Sequence, residues 1–419
     1  MKKRLLGTAL AACMVMSLAA CGSSSSNASS AAGSSAAAES GSEAASSAAD
    51  GSEAASEAEG TASKDGVFVI GGSGPLTGGA ALYGTAVKNG GKVAVDEINK
   101  NGGINGYQVK WVFEDDEHDA EKAVNAYNTL KDQGLQMMVG TTTSGPCLAV
   151  AAETEKDNMF EITPSGSTPD ITKPANVFRL CFSDTAQGTK SADYIADNKL
   201  ATKVGVIYDS SDTYSSGIYE TFAKEAEVKG LEIVGAEAFT SENKTDFKTQ
   251  LQKLKDGGAE LVFLPFYYTE ASLVLKQANE MGWAPKFFGC DGMDGILDLP
   301  DFDKSLAEGL MLLTPFAADA QDEQTQNFVK AYKDEFGDTP IQFAADAYDC
   351  LYVIKAAAEK AGITPDMNAS EICDKLEPAM TEITVDGLTG DAITFSADGE
   401  PNKEPKAVVI ENGAYKSMD

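Results

Sequence analysis

The chain has 419 residues, with 33 basic and 64 acidic side chains and a formal net charge of −31. So acidic a surface repels nucleic acid and anionic lipid headgroups, which excludes a DNA or RNA partner as a working reading. Seven cysteines without CxxC spacing and a single histidine, His118, leave no disulfide framework or zinc knuckle to read.

Residues 1–20 read as a secretory signal. Lys2, Lys3 and Arg4 give its positive start, and the apolar residues 5–18 give a core too short to span a bilayer with ease. It ends in Leu18-Ala19-Ala20-Cys21, which looks like a lipobox: cleavage before Cys21 and a diacylglycerol on its sulfur. Acyl chains would then hold the molecule on the membrane. An ordinary cleavable signal with an incidental cysteine is the alternative. Residues 22–64 are almost all Ser, Ala, Gly and Glu, without the apolar side chains a core needs, and read as a disordered tether. Of the later cysteines, Cys147, Cys181, Cys290, Cys350 and Cys373 read mostly as small buried apolar residues, with a pair such as Cys350 and Cys373 left open.

From residue 65 short apolar runs alternate with amphipathic stretches, the signature of βαβ units. Val67 to Ile70 reads as a strand, and Leu82, Ala86, Gly90, Val93, Ala94 and Ile98 as one face of a helix. Strands follow at 109–113, 137–139 and 160–162, with helices at 120–130 and 148–156. A second series starts near Thr185, with strands at 204–208, 233–236 and 261–264 and helices at 218–228, 247–254 and 271–281. The chain then turns helical at 322–336 and 343–361 and returns to strands at 393–395 and 407–410. This length exceeds one comfortable domain, so two open sheets with a cleft between them are expected. Ligands of such sheets sit at the carboxyl ends of the strands.

No triad can be assembled with one histidine, and HExxH is absent, so a hydrolase is disfavoured. His118 lies in the acidic run 114–119, which lacks the glycine and spacing of a calcium loop, and reads as a solvated loop residue. The turn 71–79 follows a strand but holds Thr77 where a dinucleotide fingerprint needs its third glycine. It reads better as a wall of a binding site, with Tyr83 projecting beside it. Residues 140–146 crowd hydroxyls, Ser144 among them, where a helix should begin, and a helix start suits a carboxylate. Ser144 as a plain helix cap is the bland reading. The turn 163–169, with Ser165 and Ser167, repeats the theme after the next strand. In the second series three strand ends carry Tyr214, Tyr267 and Asp291, and a glycine-flanked Asp291 suits an ammonium.

With these motifs in place, the folded part resembles the leucine/isoleucine/valine-binding protein family of ABC importers. The resemblance rests on Gly74-Pro75-Leu76-Thr77-Gly78, Tyr83-Gly84, the run from Ile98 to Gly106, Ile162-Thr163-Pro164, and Gly387-Leu388-Thr389-Gly390 with Ile393-Thr394-Phe395. It implies an α/β fold of the type I periplasmic-binding class, two lobes each built on a mostly parallel sheet, with three crossovers near Asp184, Pro315 and Asp386. Residues 65–185 and 316–386 would form one lobe, and 186–315 and 387–419 the other. It also implies a ligand set. Ser144 would hold a ligand carboxylate, Ser165 would offer its backbone carbonyl to the ligand ammonium, and Ser167 falls on the family's threonine position and keeps the hydroxyl. Tyr267 and Asp291 would hold an ammonium, and Tyr83 and Tyr214 would wall the side chain. The disulfide of some members maps onto His118 and Thr143 and is absent here. The expectation is therefore a monomeric binding protein on the outer face of the cell membrane, not an enzyme. It would take an amino acid, a branched-chain one first, for ABC permease subunits, with no cofactor and no metal. An amide or aromatic acid is the competing ligand.

Overall fold

The computed structural model of the chain describes residues 64–418. The signal segment, Cys21 and the tether up to residue 63 lie outside the described residues. The first series runs β1 (Val67–Gly74), α1 (Ala81–Lys100), β2 (Gln108–Asp115), α2 (Ala120–Asp132), β3 (Met137–Val139), α3 (Ser144–Asp157), β4 (Glu161–Thr163) and β5 (Val177–Arg179). Its strands form a five-stranded parallel sheet in the order β2-β1-β3-β4-β5. The second runs α4 (Asp184–Asp197), β6 (Lys203–Asp209), α5 (Thr213–Lys229), β7 (Glu232–Phe239), α6 (Lys248–Asp256), β8 (Leu261–Leu264), α7 (Tyr268–Glu280), β9 (Lys286–Gly289) and β10 (Met311–Thr314). After α8 (Glu323–Phe336), α9 (Gln342–Ala361) and α10 (Ala369–Met380), the chain closes with β11 (Lys406–Glu411) and β12 (Ala414–Ser417). The second sheet has seven strands in the order β12-β11-β10-β9-β8-β6-β7. Only the β10–β11 and β11–β12 pairings are antiparallel.

The expected two-sheet α/β architecture is thus present, for the reasons the sequence carries. β8 is apolar at every position and fully buried, as a strand covered on both faces must be. Asp119, Ser183, Asp212 and Asp322 cap α2, α4, α5 and α8 by accepting from first-turn N–H groups. Asn368 and Glu371 form a capping box on α10, a helix the sequence reading passed over. α9 and α10 return to the first sheet, where α9 lies along α1. The two helices cross at Gly90, where an added Cβ would come within 2.0 Å of the Ala344 carbonyl oxygen. That close crossing brings Tyr83 and Phe343 into a stack 4.2 Å apart.

The chain passes between sheets after β5, after β10 and before β11. The third passage lies later than the expected one near Asp386, and the expected second-lobe segment from residue 387 differs accordingly. Val385 bridges Ile393, the Phe395 ring packs edge-on to Phe178 of β5, and the Arg179 N–H donates to the Gly399 carbonyl at 3.0 Å. Residues up to about Pro401 therefore belong with the first sheet. The apolar run 393–395 makes isolated bridges rather than a strand. Asp349 of α9 fixes the turn that starts this segment, accepting from the Leu388 and Thr389 N–H groups at 2.8 and 2.9 Å.

Buried acids tune this core. Glu161 of β4 is fully buried, accepts from the Thr154 hydroxyl at 2.7 Å, and is pushed up to about 7 by burial. Burial likewise pushes Asp184, at the start of α4, up to about 7. A carboxyl whose folded value is raised binds its proton more tightly in the folded chain. Its stabilising contribution is complete below the unfolded value and is lost as pH rises through about 7. The protein should therefore melt at a higher temperature near pH ~5 than near pH ~8 in calorimetric scans. Glu161→Gln should flatten that dependence by on the order of 3 kcal/mol.

Candidate functional site

The cleft between the sheets narrows to a small, tightly closed chamber, lined by Tyr83, Thr142, Thr143, Ser144, Ser165, Tyr214, Tyr267, Asp291, Gly292 and Phe343. Larger recesses near Phe316 and Tyr415 hold none of the strand-end residues of the motif reading, while another beside His118 shares Tyr267 with the chamber and also holds Gly145, Asp212 and Glu270. The chamber brings together all the ligand residues expected from sequence except Ser167. That residue lies just behind, its hydroxyl 3.4 Å from that of Ser144.

The first lobe supplies the donor side. α3 begins at Ser144, and the N–H groups of a helix's first turn have no intrahelical partner. Ser144 does not act as the cap that the bland reading allowed. Thr143 occupies the cap position without a side-chain capping bond, and the Ser144 hydroxyl accepts from the Ser167 N–H at 3.1 Å. The two serine-bearing loops are thereby tied to each other. A second tie joins the Ser165 hydroxyl to the Thr142 carbonyl at 2.6 Å.

Arg179, wholly buried at the end of β5, holds the back of the same loop. Its guanidinium donates to the carbonyls of Gly166, Ser167 and Thr168 and pairs with Glu400 at 2.6 Å. The carbonyl of Ser165 is outside that set. Sequence reading missed Arg179, because nothing local marks a strand residue as the anchor of a loop more than ten positions earlier.

The second lobe supplies the acid. Asp291 sits in a short 3-10 turn after β9, 3 % exposed, and burial pushes its carboxyl up to about 6. The Tyr214 hydroxyl donates to it at 2.6 Å and accepts from the Gly292 N–H at 2.9 Å. The Asp291 N–H donates to Gln187 and its carbonyl accepts from Gln342, so both flanks of the acid are fixed. Tyr214 and Tyr267 stack 5.0 Å apart. Tyr267 lines the chamber beside Tyr214, and its hydroxyl lies within reach of Asp212 at the start of α5. Phe343 was missed as a wall, since it comes from a late helix rather than a strand end.

His118 is not the solvated loop residue its setting suggested. Its ring is half-buried, its Nδ1 lies 2.9 Å from the Thr143 hydroxyl, and its edge packs on Tyr267 of the opposite lobe at 5.5 Å. A hydrogen bond thus joins the two positions onto which the family's disulfide maps. The acidic run around it serves the local turns: Asp115 accepts from Leu76 and Thr77, and Asp116 from the His118 N–H. Among the described residues no cluster of His, Cys, Asp or Glu could hold a metal ion.

Arg179→Met should lower stability by about 3 kcal/mol in urea denaturation, because it strands buried carbonyls without donors. Glu400→Gln, which keeps an acceptor beside the guanidinium, should cost under ~1 kcal/mol.

Comparison with known proteins gives the family and the fold. Residues 67–414 match the family model described as periplasmic binding protein. A Leu/Ile/Val-binding protein homolog from Brucella melitensis is 32 % identical over 299 residues, covering 70 % of this chain and 79 % of the relative. A leucine-, isoleucine-, valine-, threonine- and alanine-binding protein from Pseudomonas aeruginosa is 30 % identical over 292 residues, covering 69 % and 77 %. Among solved structures, the branched-chain amino acid transporter substrate-binding protein LivJ from Streptococcus pneumoniae, in complex with isoleucine, superposes with a TM-score of 0.76. It is 29 % identical, covering 84 % of this chain and 98 % of that one. A solute-binding protein from R. palustris in complex with benzoate shares the fold, with a TM-score of 0.74 at 20 % identity over 84 % of this chain and 96 % of that one. The chain belongs to the leucine/isoleucine/valine-binding branch of the periplasmic binding protein family, whose members bind solutes for ABC transporters and are not enzymes.

Proposed function

We propose that this protein captures an amino acid, a branched-chain one first, in the interlobe chamber and delivers it to the permease subunits of an ABC importer. The observation that carries the reading is the chamber's polarity. Hydroxyls and a helix start face it from one lobe, and a buried carboxylate faces it from the other. A zwitterion entering such a space loses water from both charges and needs a replacement for each. Ser144 and the first N–H groups of α3 take the carboxylate, and the Ser165 carbonyl faces the ammonium. Asp291, oriented by Tyr214, takes the ammonium. Tyr83, Tyr267 and Phe343 surround the side chain with ring faces. The isoleucine bound by the pneumococcal relative supports the same ligand class. An aromatic acid carries no cation and would leave Asp291 without a counter-charge, which disfavours the competing ligand.

Outside the described residues, the lipobox-like Leu18-Ala19-Ala20-Cys21 supports a lipidated Cys21 holding a monomer at the extracytoplasmic face of the membrane. Cys21→Ala should move the protein from the membrane fraction to the soluble fraction, and an unchanged membrane fraction would remove the anchor from this picture.

Titration calorimetry of protein freed of co-purified ligand, against leucine, isoleucine, valine and benzoate, tests the ligand class. Heat with the amino acids and none with benzoate is the expected result, and the reverse would discard the zwitterion site. Asp291→Asn should weaken amino-acid binding by roughly a hundredfold, since it leaves a buried ammonium unpaired. Because Asp291 must be ionised to pair, affinity should hold above its value of about 6 and fall as pH drops through it.

A further inference from the structure

The lobes touch each other at one edge of the chamber through groups that need no ligand atom. Tyr83, from α1 of the first lobe, donates its hydroxyl to the Gly292 carbonyl of the second, and the same oxygen accepts from the Tyr268 N–H at 3.3 Å. Tyr268, at the start of α7, returns the contact: its hydroxyl accepts from the Leu82 N–H at 3.2 Å. Each tyrosine thus reaches across the cleft to the backbone beside the other. Their rings meet edge to face, 4.8 Å apart. One residue further on, the Thr269 hydroxyl donates to the Gly79 carbonyl at 2.6 Å, again across the cleft.

Two features separate these contacts from ligand binding. Tyr268 and Thr269 are not among the residues lining the chamber. The Tyr83 hydroxyl donates its proton to the Gly292 carbonyl and accepts from the Tyr268 N–H, so it has no proton left to give a ligand. The same bonds also set where that ring stands: Phe343 stacks on one side and Tyr268 meets it from the other lobe.

We propose that Tyr268, with Thr269, is a positioning residue that latches the two lobes together and fixes the Tyr83 wall, so that part of the free energy of closing comes from the chain itself. The proposal rests on the reading of the cleft as the ligand site but not on which ligand enters it. A latch of this kind raises the population of the binding-competent closed form before ligand arrives. It therefore improves every ligand's apparent affinity by one common factor.

The test uses the full chain carrying spin labels at Lys88→Cys and Lys248→Cys, exposed positions on the two lobes. Inter-label distances are measured without ligand, and affinities by calorimetry. Tyr268→Phe combined with Thr269→Val removes two cross-cleft hydrogen bonds and keeps the ring in the core. The expected result is a shift of the ligand-free distance distribution toward longer separations, with affinity falling by roughly tenfold for leucine, isoleucine and valine alike. Thr269→Ser keeps the hydroxyl and should behave as the parent. An unchanged ligand-free distribution would overturn the latch, as would a loss confined to one ligand, which would mark a ligand contact instead. Should the double variant not fold, Tyr268→Phe alone is measured in the same way, with a smaller shift of the same sign expected and none overturning the proposal. Failure of the amino-acid reading shows separately, as absence of amino-acid binding by the parent with the distance measurement still in force.

Discussion

A carboxylate taken out of water loses several kcal/mol of hydration, and the arrangement around Asp291 answers that cost. Its charge is set between a tyrosine hydroxyl and backbone held by two glutamines, at a depth where burial alone raises its proton affinity. Facing it across the chamber are the Ser144 hydroxyl and the open N–H groups at the start of α3. Neither lobe balances its own charge distribution within the chamber. The combination suits a ligand that carries both signs, and closure over such a ligand gives each charge its partner.

The scaffold behind the site keeps these groups at fixed separations. On the first lobe, Arg179 gathers three consecutive loop carbonyls and ties them to Glu400, so that the Ser165–Ser167 loop is held from behind. Because Glu400 lies on the segment just before the last passage between sheets, the binding loop and the hinge share one ion pair. On the same lobe the close crossing of α1 and α9 at Gly90 carries Tyr83 and Phe343 to the chamber as a stacked pair. On the other, the Tyr214 and Tyr267 stack supports the acid. The walls are rings braced by rings, which lose little side-chain entropy on closing.

Much of this was legible beforehand. Alternating apolar runs point to two mostly parallel sheets, and the rule that ligands sit at strand ends points to Ser144, Ser165, Tyr214, Tyr267 and Asp291 from sequence alone. What escaped were residues whose role comes from a distant segment. Phe343 is the second residue of a helix that follows the whole second series, and reaches the chamber only because α9 returns to α1. Arg179 looked like one more strand position. The segment 387–401 looked like the start of the second lobe, because its apolar run cannot say which sheet it will lie against.

The sequence by itself determined most of the elements, the two-sheet class, the family and the polar character of the site, since each is written in local periodicity, turn chemistry or short motifs. Only the tertiary structure decided where each hydroxyl points. Ser144 bonds to the neighbouring loop instead of capping its helix, Tyr267 gives its hydroxyl to Asp212, His118 reaches Thr143 and Tyr267, and Tyr83 spends its hydroxyl across the cleft. A hydroxyl or imidazole can take any of several partners within reach, and which partners come within reach is set by the packing of segments far apart in the chain.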